Sequence, residues 1–296
     1  MRRFPETTIN LLVTVLLLVF LFGNHTYLVS ARDNAYGHLS MKQDYVNNGS
    51  NLTKNTPYKL DVNNIIRAYL PRVVSLKRPE LSEEKIYTFL QGPKSWEEGI
   101  PWSGEWCSEM AGGNSFGGFG CGLCCMANIY STLSGYECSP LDMYEYAKTS
   151  SSYYPTGRSG AISWKDMEKT LKKTGFSCDL RRKPATYEEF RTQMKQAKSA
   201  VVLVSSYNDN KFWNATAGHY VNIWLYRDNS QEVFLAEPGS PDSNRLWIPL
   251  RYIYDALKTS SEYQYLTVSS YTEVTNEWKW DAINDNWNPP ENRNRL

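Results

Sequence analysis

The apolar residues in the second half of the chain fall into short runs, and these runs favour β-strands. The runs at 200–205 (AVVLVS) and 219–226 (HYVNIWLY) are rich in β-branched and aromatic residues. Three more runs of the same kind, separated by Asn, Asp, Gly or Pro, lie at 233–236, 245–248 and 263–268. Because few residues connect consecutive runs, the pattern predicts a largely antiparallel sheet.

The pattern before these strands favours helices. Residues 123–133 contain no Gly or Pro and are followed by Gly135, which predicts a helix that starts at or just after Cys121. The fold class is therefore α+β, with a helical half packed on the sheet. A capping residue followed by an acidic residue in the first turn predicts other helix starts, at Ser82 with Glu83 and Glu84, at Ser163 with Asp166 and at Thr186 with Glu189.

The first 31 residues have the pattern of an export signal. Arg2 and Arg3 precede an apolar run at 9–22, which is shorter than the ~20 residues that span a bilayer. The small residues at 29–31 (VSA) form a pattern that a signal peptidase accepts. We expect a signal peptide cleaved after residue 31, or an N-terminal membrane anchor if cleavage does not occur. In both cases the protein is secreted or held on the extracytoplasmic face of the membrane.

The remaining chain divides into three predicted parts. Residues 32–60 are polar and rich in Asn, without an apolar period, and predict a flexible spacer. Residues 61–276 contain the predicted elements and form the folded domain. Residues 277–296 end in the polar sequence NDNWNPPENRNRL and predict a flexible tail.

Charge and composition exclude some classes of function. The 296 residues include 32 Lys and Arg against 31 Asp and Glu, which gives a formal net charge of +1. This balance produces no overall attraction to nucleic acid or to anionic lipid, so no nucleic-acid partner is expected. Nothing in the sequence indicates a cofactor, and the function must come from a local site.

The cysteines leave two questions open. In an oxidising compartment their even number favours disulfides, but one catalytic cysteine would leave an odd number for pairing. The segment CGLCC at 121–125 contains one C-x-x-C spacing, yet no second pair follows and no His is near, so a zinc site is disfavoured. The six residues are Cys107, Cys121, Cys124, Cys125, Cys138 and Cys178.

Cys121 and His219 are the candidates for nucleophilic catalysis. A thiolate at the start of a helix is stabilised by the helix dipole, and Cys121 stands at such a start. The flanking Gly120 and Gly122 are expected to let a substrate backbone approach closely. Of three histidines, two lie in the export segment and the spacer, and His219 heads a predicted strand. His219 is therefore the candidate general base.

Three segments of the chain resemble the bacteriocin-processing (double-glycine leader) peptidase family and its secreted relatives. They are FGGFGCGLCCMANIYSTLSG at 116–135, GHYVNIW at 218–224 and FLAEPGS at 234–240. The resemblance covers about residues 85–270. It implies a papain-like fold in which a Cys-Gly opens the central helix and a Gly-His heads a strand. The chain contains no segments like the ATP-binding and membrane-spanning transporter parts of that family.

The resemblance also implies roles for individual residues. Cys121 would be the nucleophile, His219 the base, and Glu237 the residue that orients the histidine. The chain departs from the family pattern at two positions. Glu237 stands where Asp or Asn is usual, and Ser115 replaces the glutamine that supplies the oxyanion donor six residues before the cysteine. The candidates for that donor are Asn114, Ser115 and Gln91.

These features predict an exported cysteine-type peptidase with a peptide or protein substrate. Two alternatives remain open. The chain could be a catalytically inactive papain-like module that binds peptides, or an amidase that cleaves the peptide stems of the cell wall. The altered glutamine position favours the first alternative, and the lack of a wall-binding repeat disfavours the second.

Overall fold

A computed structural model describes residues 81–156 and 160–291 of the chain. The predicted export segment, the spacer and the first part of the folded domain lie outside the described residues. The α-helices of the described part are Pro93–Glu97 (α1), Phe116–Phe119 (α2), Cys121–Leu133 (α3), Pro140–Ser150 (α4), Trp164–Lys173 (α5), Tyr187–Gln196 (α6) and Leu250–Ala256 (α7). The strands are Met110–Ala111 (β1), Asn114–Ser115 (β2), Thr174–Arg181 (β3), Ser199–Val204 (β4), His219–Arg227 (β5), Glu232–Ala236 (β6), Trp247–Pro249 (β7) and Tyr265–Asn276 (β8).

The strands form two antiparallel sheets. β1 and β2 make a small two-stranded sheet, and the other strands make a six-stranded sheet in the order β3-β8-β4-β5-β6-β7. The α+β class and the antiparallel sheet predicted from the sequence are therefore confirmed. In the large sheet, Val204 at the end of β4 pairs with His219 at the start of β5. The His219 end of β5 thus lies where β4 leaves the sheet.

Helix α3 is buried and packs on strand β5. Eleven of its thirteen residues are buried, because the helix is apolar on nearly every face. Asn128 ties this helix to two other segments. Its Nδ2 donates to Asn222 Oδ1 on β5 at 3.0 Å, and its Oδ1 accepts from Phe89 N at 2.8 Å. These buried hydrogen bonds hold the helix that begins with Cys121 against the strand that begins with His219.

The side chains of β5 alternate between two apolar clusters. Tyr220 and Trp224 belong to the cluster around α3, whereas Val221 and Ile223 belong to the cluster with α6 and α7. The large sheet is therefore covered by helices on both faces, and His219 stands at its end.

The sequence pattern did not predict several of the elements, and it predicted one helix that is only a short turn in the structure. Strand β3 and helices α4 and α7 had not been predicted, although Ser139 and Asp142 form a capping box at the start of α4. The helix predicted at Ser82 is only a 3-10 turn at Glu83–Lys85, and Ser82 makes no side-chain cap hydrogen bond. The chain after this turn is drawn into the core as an extended segment, and its backbone bonds to Asn128 instead of forming helix turns.

Several residues of the predicted flexible tail, from 277 to 288, contact the rest of the domain. Trp102 N donates to Asn288 O at 2.7 Å, and Asn288 N donates to Ser103 O at 2.8 Å. The Trp287 ring lies edge-on against Phe89, with centroids 5.7 Å apart. These contacts hold part of the predicted tail against the domain, where the Trp287 side chain is partly buried. Residues 292–296 lie outside the described part.

Within residues 81–156 and 160–291, no helix combines the length and the apolar character that a membrane crossing requires.

Candidate active site

Cys121 is the first residue of α3, as the sequence predicts. The one-turn helix α2 precedes it, and Gly120 between the two helices has a helical backbone conformation. The thiol is therefore placed at a helix junction and not at an open helix end. The residue is 8% exposed, its Sγ donates to Phe119 O at 3.9 Å, and the thiol is among the groups that act electrostatically on the His219 imidazole.

His219 lies between Cys121 and Glu237. Its Nε2 makes a close contact with Glu237 Oε1, and Cys121 also acts electrostatically on the ring. Glu237 is 2% exposed, so it is not a solvated acidic residue of a turn. The structure thus brings together the three residues that the sequence singled out as nucleophile, base and orienting group.

The β5–β6 pairing explains how a glutamate reaches the histidine. Asn222 pairs with Ala236, and continuing this register by three residues places Gly239 opposite His219. A Cβ atom on Gly239 would lie 3.0 Å from His219 Cε1, so a side chain would push the ring aside. Glu237 approaches the ring from two residues earlier in the chain, and its extra methylene supplies reach that an aspartate lacks.

The carboxylate of Glu237 accepts hydrogen bonds on both oxygens. Gly239 N donates to Oε1 at 2.9 Å in addition to the His219 contact, and Trp213 Nε1 donates to Oε2 at 2.7 Å. A buried carboxylate with these donors is stabilised in its ionised form. Sequence reasoning missed Trp213 and Gly239, because neither belongs to a pattern that points to the site.

The electrostatics of the pair favour a charged imidazole beside a charged carboxylate. Burial works against the charge on His219, but the Glu237 charge and the hydrogen bond with Cys121 outweigh it and raise the pKa of His219 well above its usual value. Burial likewise opposes the charge on Glu237, yet His219, Trp213 and Gly239 lower the pKa of Glu237. Both shifts favour the charged forms of His219 and Glu237, and an imidazolium is a group that can stabilise a neighbouring thiolate.

The other five cysteines are buried and differ chemically from a nucleophile. Burial raises the pKa of Cys107 to about 11 and of Cys178 to about 12, and the pKa values of Cys124, Cys125 and Cys138 lie well above the usual thiol range. These thiols stay protonated and unreactive. None of the six cysteines forms a disulfide, so the pairing favoured by their even number is not found.

The three candidate oxyanion donors have different surroundings. Asn114 Nδ2 donates to Thr156 O at 2.8 Å, and Ser115 is exposed at the start of α2. Gln91 is 9% exposed, and its Nε2 donates to Gly117 O at 3.0 Å, one helical turn before Cys121.

The backbone of Gln91 also connects the two halves of the site. Gln91 N donates to Pro238 O at 2.8 Å, next to Glu237. The side-chain Oε1 is buried and has no hydrogen-bond partner within the described part. The amide nitrogen has two N–H groups, of which Gly117 O occupies one. Gln91 is therefore the only one of the three candidates that joins the segment before Cys121 to the segment after Glu237.

The two glycines beside Cys121 leave room for neighbouring side chains. A Cβ atom on Gly120 would lie 2.3 Å from the Phe116 ring, and one on Gly122 would lie 2.7 Å from Ile162. Both positions therefore require glycine for packing, and the approach of a substrate backbone stays an expectation.

A thiol, an imidazole and a carboxylate in this order can perform nucleophilic acyl transfer. Among the residues that the structure describes, no cluster of His, Cys, Asp or Glu side chains could hold a metal ion. A comparison with protein-family models finds no matching family, and no curated protein matches the chain.

We expect Glu237→Gln to lower kcat by about 10²-fold or more and to change KM little. The substitution keeps the size of the side chain but removes the charge that stabilises the imidazolium, and only the transition state suffers. Steady-state kinetics on a peptide substrate measure both constants. Glu232→Gln, on the same strand but half-exposed, is the matched control. Values within twofold of the parent for both Glu237→Gln and Glu237→Ala would reduce the site to a Cys121–His219 dyad.

Proposed function

We propose that this protein is a cysteine peptidase that hydrolyses peptide bonds through Cys121, His219 and Glu237. One observation carries the proposal: a largely enclosed imidazole contacts a buried carboxylate through Nε2 and is acted on electrostatically by the Cys121 thiol. In acyl transfer the thiol can act as the nucleophile, the imidazole as the base and the carboxylate as the group that orients the base.

The proposed reaction proceeds in two stages. The Cys121 thiolate attacks the carbonyl carbon of the scissile peptide bond, and the His219 imidazolium gives a proton to the leaving amine. Neutral His219 then takes a proton from a water molecule that attacks the thioester, and the C–S bond breaks, which releases the acid and restores the thiolate and the imidazolium. Glu237 orients the ring and stabilises its charged form throughout.

A papain-like arrangement is part of this proposal. It is supported by a nucleophile on the first residue of a buried helix and a base on the first residue of an antiparallel strand packed against that helix. The resemblance of the segments at 116–135, 218–224 and 234–240 to double-glycine leader peptidases adds support. Export to the extracytoplasmic side stays a prediction from the residues before the described part.

We further propose that Gln91 donates a hydrogen bond to the oxyanion. Gln91→Ala is then expected to lower kcat by about 10²–10³-fold, the usual cost of one oxyanion donor. Steady-state kinetics compare it with Asn114→Ala, whose amide is engaged by Thr156, and with Ser115→Ala. A larger loss for Asn114→Ala or Ser115→Ala than for Gln91→Ala would contradict the assignment.

A thiol-reactive peptidyl probe tests the proposed function. We expect one label on Cys121, formed faster than on the same protein in denaturant, and cleavage of members of a linear peptide library. Labelling no faster than in denaturant, with peptides bound but uncleaved, would show a peptide-binding module. Cleavage of peptidoglycan stems without cleavage of linear peptides would show a cell-wall amidase.

A further inference from the structure

Trp213 contacts the candidate site from a segment that has no regular structure. It lies in the connection between β4 and β5, and its side chain is buried. Its indole Nε1 donates to Glu237 Oε2 at 2.7 Å. The ring packs in the apolar cluster around α6 and α7, on the face of the sheet opposite the Cys121 helix.

A glutamate needs more restraint in this position than an aspartate would. Its additional methylene adds one rotatable bond, so the carboxylate could turn away from the imidazole. Oε1 is held by His219 and Gly239, while Oε2 has the Trp213 indole as its donor. Fixing both oxygens defines the plane of the carboxylate, and this plane determines the orientation of the His219 ring.

The indole N–H also favours the charged form of the carboxylate. A buried carboxyl group without donors would bind a proton and lose its effect on the imidazole. The titratable groups that face this pair are Cys121 and Cys125 on α3.

We infer that Trp213 is a positioning residue that orients Glu237 through its indole N–H and thereby keeps the His219 imidazole aligned with Cys121. The inference rests on the proposed function for its catalytic consequence, but the effect on the Glu237–His219 pair does not depend on turnover. The Glu237 side chain is longer than the usual aspartate, and the Trp213 N–H is a hydrogen-bond donor that restrains its additional rotatable bond.

The test replaces Trp213 with Phe and, separately, with benzothienylalanine, which keeps the shape of the indole ring but lacks the N–H. Trp224→Phe is the matched control, because Trp224 is buried on β5 and its Nε1 has no hydrogen-bond partner in the described part. NMR titration of the His219 imidazole and the pH profile of kcat are the two measurements. The benzothienylalanine variant keeps the test valid if Trp213→Phe does not fold.

Loss of the donor raises the pKa of Glu237 and lowers that of His219, because each charge then stabilises the other less. We expect the pKa of His219 to fall by about one unit and kcat to fall about 10-fold with KM unchanged. In the Trp213 variants, the pH range of high kcat should narrow at its acidic and at its basic limit. Trp224→Phe should leave both limits unchanged.

The outcomes separate this inference from the proposed function. If the His219 titration moves in both Trp213 variants but the parent cleaves no peptide, the inference stands and the proposed function fails. If the parent cleaves peptides and neither Trp213 variant changes the titration or the profile, the inference is overturned and the proposed function stands.

Discussion

Replacing Cys121 with alanine is expected to abolish peptide hydrolysis, a loss of about 10⁴-fold or more, while the protein stays folded. No other cysteine can take over the reaction, because burial keeps the other five thiols protonated. The initial rate of hydrolysis measures the loss, and thermal unfolding reports on the fold.

Two other cysteines serve as controls for this substitution. Cys124 lies one turn further along α3, and Cys178 lies on β3, and both are buried. Their replacement by alanine is expected to cost about 1–3 kcal/mol of unfolding free energy and to leave kcat of the folded fraction close to that of the parent. Wild-type activity in Cys121→Ala would show that the nucleophile has been assigned wrongly.

The second large effect is expected for His219→Ala. Removal of the imidazole takes away both the proton transfer to the leaving amine and the cation that stabilises the thiolate. The loss should reach at least the 10²–10⁴-fold that general acid–base catalysis supplies. Measured as kcat/KM across pH, the residual activity should no longer follow the bell shape of the parent. His38→Ala is the control, and undiminished hydrolysis in His219→Ala would exclude this residue as the base.

The coupled pair also limits the pH range in which the site is stable. The pKa of Glu237 is lowered, so its contribution to stability is present above the ordinary carboxyl value and is lost as the pH falls through the lowered value. The pKa of His219 is raised, so its contribution is present below the ordinary imidazole value and is lost as the pH rises through the raised value. Both contributions are therefore complete between the ordinary values of the two groups.

The parts of the site that local patterns encode were predictable. Cys121 begins a helix that an uninterrupted apolar segment defines, and His219 begins a strand of β-branched and aromatic residues. The approach of Glu237 to the His219 ring could be predicted only from the two-strand hairpin, which returns the chain to the histidine. The burial of Glu237 and its contact with His219 depend on the pairing register of β5 and β6, which cannot be read from the sequence.

The features that could not be predicted depend on contacts between distant parts of the chain. Trp213 belongs to no periodic pattern, and its donation to Glu237 follows from how a connecting segment packs. The turn after Ser82 had the residues of a helix start, but packing of Phe89 under α3 draws the chain into an extended form. Tertiary contacts overrode local propensity in both places.

The packed C-terminal segment has a consequence for the order in which the domain can be completed during synthesis. Ser103 accepts a hydrogen bond from Asn288, and 185 positions separate the two residues. Trp102 and Phe89 are likewise covered by Trp287, which is translated after every strand of the large sheet. A nascent chain therefore carries an uncovered aromatic surface until Trp287 emerges from the ribosome, so this region can close only after the strands have been synthesised.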